Sequence, residues 1–580
     1  MRLLRKKRRR RRTGQQQNRG QLRCESLEPR QLLTTWFVDA DMASGSGASW
    51  ADATPDLQAT LTNATAGDEI WVAEGTYQPG TSRHASFRMK TGVDLYGGFQ
   101  GVSADYPAGE SILDQRNWSS HETILNGDVA NDDVYVLHGP SDTYGVEDLM
   151  MDINNNEENN HHVVTGADGA RLDGFYVEGG NANGLCSSAS TPVSVCHLPV
   201  STWTTIYGNG GGLYAPQGTP TVENTVFRLN SALRGGGVYT AQASLNFAEP
   251  NFRNVVFHNN LAEHIGAGMY SNSSDVYLEN AVFHKNHVSG PNGMGGGLMI
   301  GGGEAIIVNS TFYGNWAEAG GGVAIRSASP AIVNSIVHGN GAIVASGTAN
   351  LFHVGMGQTF AAYSNFGDPL PSNAIDGGGL NYAFPFWAAP DTAEGPDDIW
   401  VTDDDGLVLN SFSVCHDAAI DSIVLPNGLL VKAPKDDILG TLRDDPSIAT
   451  DGIDMGAYEI ASLPLVVDEP DPDPTPPIDD VIPGGGGADW LRDPGQDERI
   501  DRREKSRKDD PVKESMRDHL APVDGRVAYG FLESRSSEKR AEEFLEKHRS
   551  MKDDLFYELG LRELVQADSL GRLMAERLQV

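Results

Sequence analysis

Residues 221–230, Thr-Val-Glu-Asn-Thr-Val-Phe-Arg-Leu-Asn, contain a pattern that recurs through the middle of the chain. An asparagine is followed three residues later by phenylalanine and six residues later by a second asparagine. Successive copies begin 25 to 30 residues apart, and the fifth has valine in place of phenylalanine. The copies are Asn224/Phe227/Asn230, Asn254/Phe257/Asn260, Asn280/Phe283/Asn286, Asn309/Phe312/Asn315 and Asn334/Val337/Asn340. A period of this length indicates one supersecondary unit per copy.

A glycine-rich triplet followed by apolar residues alternates with these copies, as in Gly210-Gly211-Gly212-Leu213-Tyr214. The repeat length varies, which argues against helical repeats and favours a β-solenoid, whose loops absorb insertions. Segments such as 221–227 alternate apolar and polar residues, as a strand between core and solvent does. We therefore predict a mainly β chain whose central part, about residues 92–341, is a parallel β-helix.

Each residue type of the repeat has an expected place in such a solenoid. The phenylalanines would form one interior stack, because equivalent side chains on successive coils lie about 4.8 Å apart. Asparagine tolerates the left-handed conformation, and its amide can bond the next coil, so both asparagines of each copy suit the bends. The glycines permit tight turns and close approach of neighbouring backbones.

The distribution of charge excludes some partners. The net charge is −35, although residues 1–30 carry 12 Lys and Arg against 2 Asp and Glu. The body is therefore strongly acidic, and we predict no nucleic-acid partner, since an acidic surface repels phosphates. No stretch approaches the roughly 18 apolar residues that a membrane helix requires, so we predict no transmembrane segment.

The two ends of the chain differ from its body. The basic leader is not followed by an ordinary apolar signal segment. Residues 461–488 alternate Pro with Asp and end in glycines, which predicts a linker. Residues 489–580 mix charges of both signs with leucines at near-helical spacing, which predicts a charged, mostly helical region. Its apolar stripe favours docking to an envelope component or self-association, and a self-contained helical tail is the alternative.

Two of the four cysteines suggest a disulfide. Cys186 and Cys196 flank a loop that contains serine and proline, and in an exported protein they could close a small disulfide loop. Two unpaired thiols are the alternative. Cys24 lies in the leader, and Cys415 has no cysteine near it in the sequence.

The repeats resemble those of right-handed parallel β-helix proteins of the pectate-lyase-like class. More specifically they resemble the polymorphic outer-membrane protein repeat, whose marks are Phe-x-x-Asn and a Gly-Gly-rich partner; Phe227/Asn230 and Phe283/Asn286 are examples. Residues 36–77 are similar to the opening coils of such proteins. The resemblance implies that a short helix near Leu57 to Thr65 caps the solenoid.

Two further motifs resemble elements of exported bacterial proteins. Residues 27–33, Leu-Glu-Pro-Arg-Gln-Leu-Leu, resemble the LEPR-XLL motif, and residues 453–459, Ile-Asp-Met-Gly-Ala-Tyr-Glu, are similar to the terminal motif of the choice-of-anchor Q domain. The resemblance implies export, with residues 1–35 as the leader. It also implies that residues 36–460 form the β-helix, from its N-terminal cap to an anchor-like end. No recognised anchor follows that end.

Parallel β-helices include polysaccharide lyases and hydrolases as well as adhesins, so the fold does not decide the activity. A lyase would need acidic Ca²⁺ ligands and a basic residue on one sheet face, and a hydrolase would need converging carboxylates. The bases of the repeat region are scattered and lie beside no cluster of acids in sequence; they are Arg228, Arg234, Arg253, Lys285 and Arg326. The isolated acids Asp114, Asp128 and Asp173 are weak candidates for catalysis, and Trp118, Trp203 and Trp316 for stacking on sugars.

Two groups of residues are candidates for binding a metal ion. His258, His284 and His338 follow the repeat aromatic or its valine substitute, and a stacked histidine row could bind a metal, although an exposed polar ladder is the commoner use. The acidic loops with Asp403, Asp405, Asp436 and Asp437 are the better candidates for Ca²⁺, with solvated turns as the alternative. No other cofactor is expected.

The sequence thus predicts an exported protein that is located at the cell surface or outside the cell. Association with the outer membrane is one form of this prediction. We interpret it as a non-catalytic protein with a binding, adhesion or structural role toward polysaccharide or another envelope component. A polysaccharide lyase or glycoside hydrolase of the pectate-lyase-like fold is the alternative. The acid/base set that would favour the enzyme is not visible in the sequence.

Overall fold

The computed structural model describes residues 34–138, 150–184, 207–241, 250–342, 349–443 and 452–460. The chain divides into two compact units, Met1–Leu465 and Val466–Val580, and every described residue belongs to the first. The predicted leader motif, the Cys186–Cys196 disulfide, Trp203, the linker and the charged helical region lie outside the described residues.

The opening coils contain twelve short strands. They are β1 (Thr35–Val38), β2 (Glu69–Ala73), β3 (Gly75–Tyr77), β4 (Phe87–Arg88), β5 (Asp94–Phe99), β6 (Thr123–Asn126), β7 (Val134–His138), β8 (Met150–Asn154), β9 (Val164–Thr165), β10 (Arg171–Asp173), β11 (Tyr176–Glu178) and β12 (Asn181–Ala182).

The repeat region continues the same winding. Its strands are β13 (Leu213–Ala215), β14 (Thr221–Arg228), β15 (Ser231–Arg234), β16 (Val238–Ala241), β17 (Asn251–His258), β18 (Leu261–Ile265), β19 (Met269–Asn272), β20 (Tyr277–His284), β21 (His287–Val288), β22 (Leu298–Ile300), β23 (Ile306–Val308), β24 (Thr311–Tyr313), β25 (Trp316–Ala317), β26 (Val323–Arg326), β27 (Ala331–Val333), β28 (Ile336–Val337) and β29 (Gly341–Ala342). The remaining strands are β30 (Leu351–Val354), β31 (Thr359–Ala362), β32 (Asn365–Phe366), β33 (Ala374–Asp376), β34 (Ser422–Val424) and β35 (Leu430–Lys432).

Three parallel sheets form the described solenoid, and each coil of the repeat region contributes strands to them in turn, although sheet 3 begins only at β12. Sheet 1 has 17 strands, and its repeat-region members include β14, β17, β20, β24 and β28. Sheet 2 contains β4, β9, β13, β16, β19, β22, β26 and β30, and sheet 3 contains β12, β15, β18, β21, β25 and β29. The architecture is a right-handed parallel β-helix, as the sequence predicted. The pairs β7–β8 and β34–β35 are antiparallel hairpins.

The repeat phenylalanines stack inside the solenoid. The register of sheet 1 aligns Phe227, Phe257, Phe283 and Phe312 on successive coils. Their ring centroids lie 5.4, 4.3 and 4.5 Å apart with near-parallel planes, and all four side chains are fully buried. The interior stack expected from the sequence is present, and it forms the centre of the main hydrophobic core.

The first asparagine of each repeat bends the strand of sheet 1, as the sequence predicted. The five residues have φ between 45° and 53°; they are Asn224, Asn254, Asn280, Asn309 and Asn334. Their amides also bond from coil to coil, since Asn254 Nδ2 donates to Asn224 Oδ1 at 3.1 Å. The same asparagine therefore bends the backbone and forms the side-chain ladder.

The second asparagine of each repeat does not take the predicted left-handed bend, so that expectation was wrong for this position, from Asn230 to Asn340. The positive φ belongs to the preceding residue, with 58° at Leu229 and 69° at Gly339. The reason is that the asparagine amide has to reach into the turn. Asn230 Nδ2, for example, donates to the carbonyl oxygen of Val177 on the preceding coil at 2.9 Å.

The second asparagines form a buried ladder along the solenoid. Each Nδ2 donates to the Oδ1 of the next copy, at 3.1, 3.0, 2.8 and 2.9 Å for the steps Asn230–Asn260, Asn260–Asn286, Asn286–Asn315 and Asn315–Asn340. Asn340 extends the ladder by one step beyond the repeats, to Asn350 Oδ1 at 3.0 Å. Each amide thereby satisfies polar groups that the turn would otherwise bury unpaired.

The glycine triplets allow the closest approach of neighbouring coils. Gly235 has φ +66°, and a Cβ on Gly236 would lie 2.1 Å from the carbonyl oxygen of Leu261. A side chain at either position is therefore excluded by strain or by direct overlap.

The N-terminal end of the solenoid is covered by the helix α1 (Leu57–Asn63). Asp56 accepts a hydrogen bond from the Ala59 amide at its N-terminus, and Leu57 and Leu61 bury their side chains in the main core. This is the cap that the resemblance implied. Short 3-10 turns occur at Trp50–Asp52, Leu113–Gln115 and Pro390–Thr392. Across the described ranges no helix combines the length and apolar character needed to cross a membrane.

The C-terminal part of the first unit departs from the expected domain layout. Parallel strand pairing ends with β33 at Asp376 and is followed by one parallel bridge between Asn365 and Asn381, so residues 382–460 add no further coils in the described ranges. Residues 385–443 and 452–460, which we call the return segment, instead pack along the outside of sheet 1. Their apolar side chains form a second core with outward residues of the coils, such as Val226, Val256 and Val282. The anchor-like motif at 453–459 therefore lies on the side of the solenoid and does not close its end.

Sheet 3 contains a buried histidine that gives a stability prediction. The His287 side chain is buried against Trp316, and neither ring nitrogen has a hydrogen-bond partner in the described structure. Burial lowers the pKa of His287 to about 4, although Asp152 acts in the opposite direction. Unfolding raises this pKa toward 6.5, so the unfolded chain binds the extra proton between about pH 6.5 and 4.

We expect the variant His287→Phe to be more stable than the parent, by a margin that grows as the pH falls from 7 to 4. The phenyl ring keeps the contact with Trp316 and removes two unpaired polar atoms and the proton uptake. The margin should grow by up to about 1.4 kcal/mol per pH unit, measured by urea unfolding at several pH values. A pH-independent difference would contradict the burial of a neutral imidazole.

Candidate functional site

The outer face of sheet 1 brings together acidic and basic residues that lie far apart in the sequence. Arg228 Nε donates to Glu178 on the preceding coil at 2.7 Å, and its Nη2 lies 3.6 Å from Glu122. Arg253 pairs with Glu279 at 3.0 Å on the following coil. The partners are adjacent in space because sheet 1 stacks residues that are separated by one complete coil.

The acidic partners of Arg228 hold that side chain in its charged form. A lyase base must give up its proton readily, which requires a lowered pKa. Burial would lower the pKa of Arg228, but Glu178 and Glu122 outweigh it and raise that pKa above its usual value. Asp173 is likewise occupied, since it accepts hydrogen bonds from Arg116 at 2.7 Å and from Asn224 at 2.8 Å.

Two of the three candidate histidines stack on this face under the return segment. The rings of His258 and His284 lie 5.2 Å apart, and their Nδ1 atoms are 3.2 Å apart. Trp400 of the return segment covers both rings at 5.1 and 5.5 Å, so the pair is buried and is not the exposed ladder expected from the sequence. His338 is not part of the row, because Tyr313 occupies the intervening coil.

The histidine pair and Glu394 are a set that could hold a transition-metal ion. One ligand atom of each of the three side chains lies within 4.8 Å of the others. Burial lowers the pKa of His258 to about 3, so the imidazole is neutral at pH 7, as a metal ligand must be. The contact of both rings with Trp400 also explains the pair as core packing.

Asp403 and Asp405 belong to one of the two predicted calcium loops. Asp403 is exposed, whereas Asp405 is buried and accepts hydrogen bonds from the Tyr458 hydroxyl at 2.7 Å and the Val401 amide at 3.0 Å. Burial raises the pKa of Asp405 to about 7 despite these hydrogen bonds. This carboxylate holds the anchor-like motif to the loop.

Asp436 and Asp437 form the second predicted calcium loop. Asp437 is buried, and its carboxylate accepts from the amides of Leu439, Thr441 and Glu459 at 2.7–2.9 Å. Asp436 contributes its main-chain oxygen to Asn280. Within the described ranges none of the four aspartates belongs to a group of three metal-ligand side chains, so Ca²⁺ binding there stays a prediction.

Arg443 is the centre of the contact between the return segment and the coils. Its guanidinium is fully buried, pairs with Glu459 at 3.0 Å and donates to Asn280 Oδ1 at 2.9 Å. It also donates to the carbonyl oxygens of Gly456 and Ala457, both at 3.0 Å. The anchor-like motif thus wraps around one buried arginine, which was not predicted from the sequence.

The bends of the repeat supply further attachment points for the return segment. Asn309 Nδ2 donates to the Asp454 carbonyl at 3.1 Å, and Asn334 exchanges two hydrogen bonds with the main chain of Ile420 at 2.8 and 3.0 Å. Together with Asn280, the asparagine bends of three successive coils are therefore occupied by the chain itself. This side of sheet 1 is not a free cleft.

An exposed cluster of aromatic rings lies where the return segment begins. We define the aromatic patch as Phe384, Phe386 and Phe412, which are 45%, 43% and 69% exposed. The Phe384 and Phe386 rings are 5.4 Å apart, and Phe386 and Phe412 are 5.6 Å apart, with their planes at steep angles. Tyr382, 46% exposed, lies two residues before the patch.

The patch rests on a rigid base. The Phe384 ring packs against buried Trp387 at 5.7 Å and against His338 at 5.5 Å. Asn410 Nδ2 donates to the Phe386 and Trp387 carbonyl oxygens at 3.1 and 2.8 Å. The patch is thus fastened through the Phe384 ring and the main chain of Phe386, while its rings remain open to solvent.

The aromatic patch was not predicted from the sequence, although one signal was available. Four aromatic residues lie within 382–387, Tyr-Ala-Phe-Pro-Phe-Trp, where the repeat pattern has already ended. Two of the tryptophans that were predicted to stack on sugars, Trp118 and Trp316, do not belong to the aromatic patch. Trp118 packs against the second core, and Trp316 is half-buried against His287.

Several solved structures are similar to this chain, including the following two. The crystal structure of the pectate lyase Pel9A is 14% identical with a TM-score of 0.37, and the similarity covers 73% of this chain and 96% of that chain. The complex of XylC with xylose is 11% identical with a TM-score of 0.26, covering 74% and 98% of the two chains. No family model and no curated protein sequence matches the chain.

Proposed function

We propose that this protein is an exported β-helix protein of the cell surface or extracellular space that binds a neutral polysaccharide without cleaving it. The aromatic patch, built from Phe384, Phe386 and Phe412, is the observation that carries this proposal. The parallel β-helix acts as the scaffold that presents the patch.

The chemistry of the patch suits sugar rings. Exposed apolar clusters of this kind mark interaction sites, and aromatic rings offer flat apolar faces with little loss of conformational freedom on binding. A pyranose ring presents C–H groups on one face and hydroxyl groups at its edge. The exposed side chain of Tyr382 lies beside the patch and offers its phenolic hydroxyl group to the sugar hydroxyl groups.

Charge favours a neutral ligand over an acidic one. The chain has a net charge of −35, and the basic residues of the leader make the remainder more acidic still. A polyuronate would be repelled by this field at low ionic strength, whereas an uncharged glucan, xylan or chitin would not. The sequence left the class of polysaccharide open, and the negative charge of the chain favours an uncharged one.

The proposal of a non-catalytic role is supported by the pairing of acids and bases on sheet 1. Arg228, Arg253 and Asp173 each have a charged partner at 2.7–3.0 Å. The histidine pair is covered by Trp400. A reacting sugar would have to displace the return segment to reach those histidines.

Export is supported by the basic leader and by the resemblance of residues 27–33 to LEPR-XLL. We extend the proposal to residues 489–580, which we expect to dock to an envelope component or to a second copy of the chain. The C-terminal region then holds the protein at the surface, and the solenoid presents the patch to its ligand.

The triple variant Phe384→Ala/Phe386→Ala/Phe412→Ala tests the proposal. We expect the parent protein to be retained on insoluble cellulose, chitin or xylan, and the variant to lose at least about 90% of that retention, because the stacking surface is gone. Retention is measured by sedimentation with the polysaccharide. Soluble polygalacturonate serves as the acidic member of the screen, and its products are followed with and without Ca²⁺.

The matched control is Val424→Ala/Leu430→Ala, which removes exposed apolar side chains from the β34–β35 hairpin. The control should bind as the parent does. Equal binding by the triple variant would refute the patch as the site. Release of unsaturated or reducing-end product that stops with chelator would establish the lyase or hydrolase alternative.

A further inference from the structure

A group of carboxylates surrounds the base of the β7–β8 hairpin. The chain leaves sheet 1 after β6, passes through residues 127–133 and enters the hairpin, and it returns through residues 155–159. Asp128 and Asp132 lie on the outgoing loop, and Glu158 lies on the returning loop. One carboxylate oxygen of each of these three residues lies within 4.8 Å of the others.

Several carboxylate oxygens at this place lack partners in the described structure. Asp128 is 6% exposed, and its Oδ1 atom is buried with no hydrogen-bond donor. Glu158 Oε1 and Asp133 Oδ1 are buried without a partner in the same way. A buried carboxylate oxygen without a donor is rare, because its desolvation has nothing to offset it.

No basic side chain neutralises the group in the described ranges. Arg83 interacts with the charge of Glu158, but its guanidinium donates to the carbonyl oxygens of Asn159 and Asn181 at 3.0 and 3.2 Å. Within the described ranges the three carboxylates therefore have no salt-bridge partner.

We infer that Asp128, Asp132 and Glu158 bind one calcium ion, which fastens the two loops at the base of the β7–β8 hairpin. Calcium takes six to eight oxygen ligands in flexible geometry, and carboxylates from two loops with main-chain oxygens and water meet that need. Magnesium demands a near-ideal octahedron and keeps more of its water, so it fits two separate loops less well.

This site is independent of the proposed polysaccharide binding and of the loops containing Asp403 and Asp436. Asp128 Oδ1 and Glu158 Oε1 accept no hydrogen bond in the described structure, so neither oxygen has a competing partner. From the sequence, Asp128 was only an isolated acid. Its partner Glu158 is 30 residues away, across the hairpin.

Calcium titration of the chelator-treated full chain by calorimetry tests the inference. We expect saturable binding at this site with a dissociation constant on the order of 10⁻⁵–10⁻³ M, as in other extracellular calcium sites and sensors. The variants Asp128→Asn and Glu158→Gln should bind at least about 10-fold more weakly, because each removes a charged ligand. Asp403→Asn, which alters the other predicted loop, is the matched control and should bind as the parent does.

Hydrogen exchange of residues 134–138 and 150–154 provides a local measurement. Calcium should slow amide exchange there in the parent and not in Glu158→Gln. If Asp128→Asn fails to fold, Asp132→Asn replaces it, since Asp132 is exposed. The absence of saturable binding up to about 10 mM Ca²⁺, well above the usual range of such sites, would overturn the inference, as would undiminished binding by the variants.

Discussion

Replacing Arg443 by alanine is expected to lower the free energy of unfolding by about 3–5 kcal/mol, as is typical when one partner of a buried ion pair is removed. The guanidinium is fully buried and bonded to Glu459, Asn280 and two main-chain carbonyl oxygens. Alanine cannot replace any of these donors.

The cost should be large because the surroundings of Arg443 are acidic. The carboxylates of Glu459, Asp437 and Asp454 all interact with its charge. Burial raises the pKa of Glu459, with a further contribution from Asp454, and the neighbouring charge of Arg443 opposes that rise. Without the arginine, Glu459 has to take up a proton or leave the core, and the return segment loses its central contact with the coils.

Urea unfolding of Arg443→Ala and of Arg443→Met/Glu459→Met measures this effect. The double variant removes both charges and should recover part of the lost stability, since no uncompensated carboxylate remains at position 459. Arg253→Ala is the control, because the side chain of that arginine is 39% exposed and its pair should contribute no more than about 1 kcal/mol. A loss of less than about 1 kcal/mol in Arg443→Ala would show that the network does not hold the return segment.

The second large effect is expected for Phe283→Ala, with a loss of about 3–5 kcal/mol. The Phe283 ring has a parallel neighbour on each side, at 4.3 Å to Phe257 and 4.5 Å to Phe312. The spacing of the coils is fixed by the strand ladders, so the two neighbours cannot close the gap. The full cavity should therefore remain, and its cost adds to the lost burial of the ring.

Thermal and urea unfolding of Phe283→Ala should be compared with Phe412→Ala, whose ring is 69% exposed. The exposed variant should change stability by less than about 0.5–1 kcal/mol, as surface substitutions usually do. Equal effects of the two substitutions would mean that Phe283 is not in the core.

The solenoid was predictable from sequence because its period is local and repeated. Phe227, Phe257 and Phe283 recur with the same neighbours, so one assignment of inward and outward positions serves every coil. Asn224 and its equivalents carry the bend for the same reason, since few residues other than glycine accept φ near 50°. The helix at Leu57 also has a visible start in Asp56.

The same repeat also shows where residue preference misleads. Asn230 and Asn340 have the residue type of a left-handed bend, yet the bend lies one residue earlier, at Leu229 and Gly339. The buried ladder needs the amide of each second asparagine, and that need decides the position of the turn. Leucine carries a φ of 58° only because the ladder and the strands on both sides fix its backbone.

The site could not be predicted because its contacts join parts of the chain with no shared period. Arg228 lies 50 residues from Glu178, and Arg443 lies 163 residues from Asn280. Loops of unequal length separate the coils, so sequence spacing does not tell which acid lies beside which base. The return segment has no repeat at all, and the resemblance of its last residues suggested an end cap although they lie along the side.

The hydrogen bonds between the asparagine bends and the return segment also affect how the molecule unfolds. In a simple solenoid each coil touches only its neighbours, so the chain can fray from either end one coil at a time. Here the return segment touches coils from Tyr176 to Ile336 within one apolar cluster, and hydrogen bonds tie it to Asn280, Asn309 and Asn334. The return segment therefore links these coils to one another, and we expect them to unfold as one cooperative unit. Stretching the molecule should then produce a single large rupture where a bare solenoid would give a series of small steps.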